Sequence, residues 1–368
     1  MSEDSPRQIP CWTCFPQIQV RRAIAATVPP LAVIAGILAT PPPASAISPS
    51  DPLERIAFGS CCNQKRSQVI WPAIAALRPQ LFLFLGDNIY GDSEDMNVLR
   101  AKYDELNANP GYAALRAICP VLATWDDHDY GANDAGAEFS QRDPSQKLFL
   151  KAFNIPKDRG PWQRPGVYDA YSFGPKGRRV QIILLDTRYF RGPLLKFGPG
   201  QSRKLGPYQE NPNPSSSMLG EAQWRWLEAQ LKEPADLRLI GSSIQVLPVD
   251  SNWERWQNLP HERAKLLDLL RQTPGEPIVL LSGDRHLGEL MRYEISPGRF
   301  LHEATSSGLS HAGGGQESEP NRFRTGLMFR ELNFGTLEID WSGPKPRCTL
   351  AIRDVSGKVV RTVTTADQ

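Results

Sequence analysis

One pattern recurs along this chain and constrains its fold more than any other feature: a short apolar run that ends in an aspartate. The runs occupy residues 81–85, 121–124, 180–185 and 278–282, and the aspartates that follow them include Asp87, Asp126, Asp186 and Asp284. Such runs are typical of strands buried on both faces. A single Gly-Asp after a strand indicates only a turn. Four such ends, two with a histidine within two residues of the aspartate, instead predict ligands clustered at the strand ends of a layered α/β fold.

The segment at residues 121–133, VLATWDDHDYGAN, is the most highly charged of these strand ends. Asp126, Asp127, His128 and Asp129 place three carboxylates and an imidazole on four consecutive residues. In an apolar core these carboxylates would repel one another, so a multivalent cation is the natural partner that lets them converge. This segment therefore predicts a metal site.

Helical and strand patterns alternate along most of the chain. Residues 67–78 have helical spacing and connect two strand-like runs, which predicts a right-handed βαβ unit with parallel strands. Further helices are predicted at residues 95–107, 113–118, 144–153, 221–232 and 261–271, and an antiparallel strand pair at 167–173 and 179–185. A period of two at residues 289–295, 334–339, 347–353 and 358–363 predicts an antiparallel sheet. One domain at residues 53–363, with two sheets flanked by helices, accounts for these elements.

The first 46 residues are predicted to be an export signal. Arg21 and Arg22 precede a modestly apolar stretch at residues 23–38, and residues 44–46, Ala-Ser-Ala, form a small-x-small cleavage site. The paired arginines resemble a twin-arginine signal, although Val20 precedes them. The alternative is an uncleaved membrane anchor. We expect the twin-arginine or the general secretory machinery as a partner, a periplasmic or secreted location, and no stable membrane span after cleavage.

Composition argues against nucleic-acid binding as the main function. The chain has 368 residues and a formal net charge of +2. Its lysines and arginines are not clustered with aromatic residues in the way that nucleic-acid grooves require. Of the 6 cysteines, Cys11 and Cys14 belong to the predicted signal, and the remaining four are too few for a disulfide scaffold in so long a chain.

One of these cysteines lies at another predicted strand end. Residues 55–60 form a strand-like run whose last two residues, Gly59 and Ser60, are followed by Cys61 and Cys62. A thiolate is a soft, charged ligand for a transition metal, so Cys61 is a candidate metal ligand. The alternative is that Cys61 is a buried apolar side chain.

Several motifs taken together resemble a known family. In chain order they are GSC, GDNIYGD, TWDDHDYGAN, LDTR, QWRWL, SSIQV and GDRH, spread from about residue 56 to about residue 303. This combination resembles the PhoD-like alkaline phosphatases, within the calcineurin-like and purple acid phosphatase metallophosphoesterases. The resemblance implies a single-domain, four-layer α/β/β/α sandwich with two mixed sheets, a bimetallic site at the sheet edges, and hydrolysis of phosphate esters.

The resemblance also implies metal ligands. Asp87 takes the position of the superfamily's metal-bridging aspartate, and Asp127 that of its metal-binding asparagine. The G-D-x-x-Y pattern of purple acid phosphatases implies that Tyr90 binds ferric iron, although Tyr90 could instead be an aromatic that covers the sheet edge. GDRH corresponds to the superfamily's final Gly-His-x-His, which implies that Asp284 and His286 are ligands.

Three further residues receive catalytic roles. By the same resemblance, His128 lies beside the leaving group as the general acid, and Asp129 orients its ring. Arg188 of LDTR could place its guanidinium on the phosphate. A salt bridge to a neighbouring carboxylate is the alternative for Arg188.

Departures from the superfamily pattern leave the metal pair open. GSC replaces the usual Asp-x-His, and SSIQV contains no histidine. Oxygen donors in place of imidazoles favour calcium at one position, so we expect two or more metal ions, Fe³⁺ with Ca²⁺ or another divalent metal. The expected function is hydrolysis of small-molecule phosphate mono- or diesters by direct attack of a metal-bound hydroxide. The alternative is a catalytically inactive, secreted metal-binding or sensory module on the same fold.

Overall fold

The computed structural model describes residues 48–201, 205–274 and 277–365, so the predicted export signal lies outside the described residues. The described strands are, in chain order, β1 Arg55–Gly59, β2 Leu81–Leu85, β3 Val121–Thr124, β4 Asp169–Phe173, β5 Val180–Leu184, β6 Leu195–Lys196, β7 Tyr208–Gln209, β8 Leu237–Gly241, β9 Ile278–Ser282, β10 Gly288–Ser296, β11 Arg299–Ser306, β12 Phe334–Asp340, β13 Arg347–Arg353 and β14 Val359–Thr364. The described α-helices are α1 Trp71–Ala76, α2 Met96–Ala108, α3 Pro110–Arg116, α4 Asp127–Tyr130, α5 Arg142–Ala152, α6 Gly220–Gln230 and α7 Pro260–Gln272.

The helix ends follow local chemistry. The Asp95 side chain accepts a hydrogen bond from the backbone N–H of Asn97 at 2.8 Å and thereby caps α2. Asn109 caps α3 in the same way. Proline stands at the start of α3 and of α7, where its missing N–H costs no helical hydrogen bond. No helix within the described ranges is long and apolar enough to cross a membrane.

Two six-stranded mixed sheets form the centre of the fold. The first has the order β14-β13-β12-β1-β2-β3, with β1, β2 and β3 parallel and the other neighbours antiparallel. The second has the order β10-β11-β9-β8-β5-β4, with β5, β8, β9 and β11 parallel and both edge strands antiparallel. Strands β6 and β7 form a separate small ribbon.

Alternation along the strands explains the layers. In β2, Phe82 and Phe84 pack against helices α1, α2, α3 and α5, whereas Leu83 lies in the core between the two sheets. In β5, Ile182 points into that same central core and Ile183 packs against α6 and α7. Each central strand is therefore buried on both faces, as its apolar sequence predicts. The result is the expected four-layer α/β/β/α sandwich.

Most elements lie within a few residues of their predicted positions, but the late strands differ in their pairing. The sequence predicts one antiparallel sheet after residue 288. The structure instead divides these strands, because β11, which was not predicted, pairs with β9 and draws β10 into the second sheet. Strands β12, β13 and β14 extend the first sheet.

Candidate metal centre

The carboxyl ends of β1, β2 and β3 are joined directly by backbone hydrogen bonds. The N–H of Cys62 donates to the carbonyl of Asp87 at 2.8 Å, and the N–H of Gly91 donates to that of His128 at 3.1 Å. Gly86 has a φ of +94°, and a Cβ there would lie 2.5 Å from the Cβ of Asp126. Only glycine permits this close approach, which brings the loop after β2 against the loop after β3.

The second sheet contributes the opposite side of the site. Asp284 and His286 follow β9, and the N–H of Gly283 donates to the carbonyl of Ser243 after β8 at 2.9 Å. A cavity of about 220 Å³ opens between the two sets of strand ends. It is lined by Asp87, Asp127, His128, Asn133, Asp134, Pro207, Tyr208, Trp253, Glu254, Asp284, Arg285, His286, Gly314 and Gly315.

A first group of candidate ligands joins three strand ends. The ligand atoms of Cys61, Asp87 and His286 all lie within 4.8 Å of one another. The Cys61 thiol donates to Asp87 Oδ2 at 3.2 Å, and the Tyr90 hydroxyl lies 3.0 Å from His286 Nε2. Ser307 connects this group further, because its hydroxyl lies 2.9 Å from Cys61 Sγ and accepts the backbone N–H of His286 at 2.6 Å.

Two more groups share the carboxylate of Asp127. Its oxygens lie within 4.8 Å of ligand atoms of Asp87 and His128, and within the same distance of those of Asp134 and Glu254. Asp87 and Asp127 therefore connect three adjoining sets of donors. This arrangement of shared carboxylates suits more than one cation.

The backbone at this site adopts conformations that non-glycine residues seldom adopt. The φ angles of Cys61, Asp87, Asp284 and His286 are 62°, 51°, 68° and 55°. Left-handed backbone at a non-glycine residue costs of order 1–3 kcal/mol and is concentrated at functional sites. Here the strained residues are all predicted ligands: the ligand atoms of Cys61, Asp87 and His286 lie close together, whereas Asp284 lines the cavity but is outside the three donor groups found among the described residues.

The protonation chemistry of the first group fits a bound cation. Burial, and then the nearby charges of Cys61 and Asp127, raise the pKa of Asp87 well above its usual range. Burial also raises the pKa of Tyr90 strongly and that of Cys61 to about 12. Asp87 Oδ1 is buried and has no hydrogen-bond partner in the described structure. A cation would satisfy this oxygen and favour the ionised donors that burial disfavours.

His286 is held in the form that binds metals. Burial, and then the neighbouring His311 and His128, lower the pKa of His286 to about 3. The ring is therefore neutral at physiological pH, and a neutral imidazole has a nitrogen lone pair free for coordination. His311 stacks on His286 with ring centroids 3.8 Å apart, and its Nδ1 lies 3.2 Å from the Tyr90 hydroxyl.

The structure corrects the predicted partner of His128. Its Nδ1 lies 2.6 Å from Asp92 Oδ1, and its ring stacks on Tyr90 with centroids 4.0 Å apart. The carboxylate of Asp129 instead accepts the backbone N–H groups of Asn88 at 3.1 Å and Ile89 at 3.2 Å. His128 and Asp129 both lie in the short helix α4, which directs the side chain of Asp129 away from the His128 ring. Asp129 therefore fixes the loop after β2. Asp92 orients the histidine.

The location of Arg188 also differs from its predicted role. Its guanidinium is fully buried, pairs with Asp126, and donates to both carboxylate oxygens of Glu254 at 2.8 Å. Arg188 is not among the described residues that line the cavity. The salt-bridge alternative therefore describes it, and its charge compensates two carboxylates that would otherwise be buried unpaired. Asp186, at the same strand end, accepts backbone N–H groups of Arg188 and Tyr189 and so stabilises a turn.

Several residues at the site were not identified from the sequence. They are Asp92, Asp134, Tyr208, Trp253, Glu254, Arg285 and His311. Asp92 ends the motif GDNIYGD and Asp134 directly follows TWDDHDYGAN, so their acidic side chains near the strand ends were an available signal. Trp253 and His311 lie in loops and Tyr208 lies in the two-residue strand β7, and no local pattern indicates what these side chains contact.

Comparison with known proteins agrees with this architecture. A family model described as PhoD-like phosphatase matches residues 56–332. Alkaline phosphatase D from Bacillus subtilis (strain 168) is 22% identical over 285 residues, which cover 64% of this chain and 46% of that protein. The chain thus spans about half the length of this curated relative.

Solved structures share the fold. A structure of PhoD matches with a TM-score of 0.64 and 17% identity, covering 86% of this chain and 69% of that one. A dimetal phosphatase from Danio rerio matches with a TM-score of 0.52 and 16% identity, covering 85% and 99%. These matches confirm the resemblance inferred from the motifs and the four-layer fold that it implied. The chain belongs to the PhoD-like phosphatase family.

Proposed function

We propose that this protein is a metal-dependent phosphatase that hydrolyses small-molecule phosphate mono- or diesters. The observation that supports this most is the meeting of two donor sets, one of Cys61, Asp87 and His286 and the other of Asp127, Asp134 and Glu254, beside His128 at the same cavity. A cavity with carboxylates, an imidazole acid and shared ligands suits a phosphoryl group, whose charge needs cations on one side and a proton donor on the other.

The donor types suggest how the cations are divided. Cys61, Tyr90 and His286 supply sulfur, phenol and imidazole donors beside Asp87, a set that suits ferric iron. Asp127, Asp134 and Glu254 supply only carboxylate oxygens, which suit calcium or another hard divalent cation, although both oxygens of Glu254 also accept hydrogen bonds from Arg188. Asp284 lies among these carboxylates in the cavity wall. When bound, the cations would supply the Lewis acidity that activates water and neutralises the phosphoryl oxygens.

His128 is the candidate general acid. Burial lowers its pKa, but the carboxylates of Asp127 and Asp92 outweigh this effect and raise the pKa to about 9. Without bound cations the ring is therefore protonated at neutral pH, and the contact with Asp92 favours the same form when Asp127 binds a cation. Its Nδ1 is engaged by Asp92, which leaves Nε2 as the nitrogen that can donate a proton to the leaving oxygen.

Removal of the metals tests the proposed activity. We expect the purified protein to contain metal and to hydrolyse members of a panel of phosphate mono- and diesters. Dialysis against a chelator should lower the rate by about 100-fold or more, and added metal should restore it. Metal content is measured by elemental analysis of the same samples. A metal-loaded, folded protein that hydrolyses no ester would contradict this proposal and favour the inactive metal-binding module.

We propose in addition that the protein is exported and that residues 1–46 are removed. This rests on the arginine pair, the apolar stretch and the Ala-Ser-Ala site in the sequence. Mass spectrometry of the protein recovered outside the cytoplasm should then find an N-terminus at or near Ile47. Exported protein that still begins at Met1 would contradict cleavage, and would favour the retained membrane anchor.

A further inference from the structure

Trp253 is exposed at the edge of the candidate metal centre. Its exposed fraction is 39%, and it is the only exposed tryptophan among those that the structure describes. It lines the same cavity as Asp127, His128 and Asp284. Aromatic side chains are common in the walls of ligand sites, so the position of Trp253 in this cavity, rather than its exposure alone, makes it a candidate contact for a ligand.

The backbone of Trp253 is held in place from two directions. The N–H of Asn252 donates to the carbonyl of Leu205 at 2.6 Å, and the N–H of Tyr208 donates to the carbonyl of Asn252 at 3.0 Å. Gly206 has a φ of +120°, and a Cβ there would lie 2.4 Å from the nitrogen of Trp253. Glycine is therefore required for this contact between the two loops. These contacts fix the backbone at the tryptophan through the protein's own loops.

The ring itself is oriented by Arg285, whose guanidinium carbon lies 5.5 Å from the ring centroid. Arg285 is anchored in turn, since it donates to both oxygens of Glu319 at 2.9 and 3.2 Å and to Gln245 at 3.3 Å. An arginine fixed by a buried carboxylate gives the indole a stable neighbour on one side. The exposed part of the ring remains available at the cavity.

The size of the cavity determines which part of a substrate reaches this ring. Its volume of about 220 Å³ is less than the roughly 300 Å³ of small drug-binding pockets. The carboxylates and imidazoles in its wall suit the phosphoryl group and the cations, so little room is left for the alcohol portion of an ester. That portion must extend toward the exposed rim, where Trp253 lies.

We infer that Trp253 determines specificity by stacking on a planar aromatic group in the alcohol portion of the substrate. The preferred substrates are then phosphate esters of alcohols that contain an aromatic ring. This inference rests on the proposed phosphatase function and adds the substrate class to it. Stacked aromatic pairs contribute beyond the apolar area they bury, which an aliphatic group of similar size does not reproduce.

Non-hydrolysable phosphonates test this inference through binding alone. We expect the metal-loaded protein to bind 2-phenylethylphosphonate about fivefold more tightly than 2-cyclohexylethylphosphonate, which has similar bulk but no planar ring. Trp253→Leu should bring this ratio close to one, and Trp253→Phe should restore most of it. Calorimetry measures each dissociation constant, and the ratio of kcat/KM for the two corresponding phosphate esters should change in parallel.

Trp226→Leu is the matched control, because Trp226 contacts Tyr168 and Arg164 on the outer helix layer, away from the cavity. This variant should keep the wild-type ratio. A Trp253→Leu protein that retained the preference for the aromatic phosphonate would overturn the inference while leaving the phosphatase proposal intact. Preferential binding of the aromatic phosphonate with no hydrolysis of either ester would support the subsite and contradict the phosphatase activity.

Discussion

His128→Ala is expected to lower kcat by about 10² to 10⁴ while the metal content stays unchanged. The side chain lines the cavity, is favoured in its protonated form by Asp92, and is oriented by its contact with Asp92 and its stacking on Tyr90. Without it, the leaving alkoxide must depart unprotonated. The loss should therefore be large for esters of aliphatic alcohols and much smaller for a nitrophenyl ester, whose leaving group is stable as an anion. Steady-state kinetics on such a pair of esters measures this difference.

Asp92→Asn tests whether Asp92, rather than Asp129 as the sequence predicted, orients the ring of His128. Because Asp92 is the residue that contacts Nδ1 of the ring, this variant should show a smaller loss with the same dependence on the leaving group. Elemental analysis of each variant is the control for metal loss. Equal rates for wild type and His128→Ala on the aliphatic ester would remove His128 from the mechanism.

Cys61→Ser is expected to lose most of the iron that we propose at this site. The thiol lies 3.2 Å from Asp87 and within 4.8 Å of the His286 ligand atom, so it is placed to bind the same cation. Serine is a harder and far less acidic donor, which makes it a poor substitute. Tyr90→Phe should remove the phenol that lies 3.0 Å from His286 Nε2. A phenolate or thiolate bound to ferric iron absorbs visible light, so the wild type should be coloured and Tyr90→Phe should shift or abolish the absorption.

Iron analysis and visible spectroscopy on wild type, Cys61→Ser and Tyr90→Phe measure these effects. Cys119→Ser is the matched control, since Cys119 is also a buried thiol but lies at the end of the loop that precedes β3, outside the three donor groups found among the described residues. An active wild type that is colourless, iron-free and insensitive to both substitutions would show that Cys61 and Tyr90 are packing residues. The proposed phosphatase activity would remain, because it rests on Asp87, Asp127 and His128, together with Asp284 and His286 after β9.

Local pattern was sufficient for the strands that build the site. The five residues of β2, LFLFL, are all buried and alternate between the helix-facing and central cores, as an apolar run before Gly-Asp predicts. The same logic located β3, β5 and β9. Because parallel strands present their carboxyl ends at one edge, the order of elements also predicted that Asp87, Asp127 and Asp284 would approach one another.

Such local patterns do not indicate which strands pair when they are far apart in the chain. The sequence predicted β10 and the last three strands in one sheet, whereas their division depends on β11, a strand with no clear signal that pairs with β9. Strand propensity records how well a side chain suits a pleated surface, and it does not specify which neighbour supplies that surface.

The sequence by itself therefore determined the layered fold, the strand ends and the types of candidate ligand that follow them. Only the tertiary structure decided the partners of each charge: Asp92 for His128, Asp126 and Glu254 for Arg188, and backbone amides for Asp129. The physical reason is that burial makes an unpaired charge costly, so each side chain adopts the partner that the folded loops bring within reach. Close contacts between residues far apart in the chain, such as the one between Gly86 and Asp126, determine which loops lie next to one another.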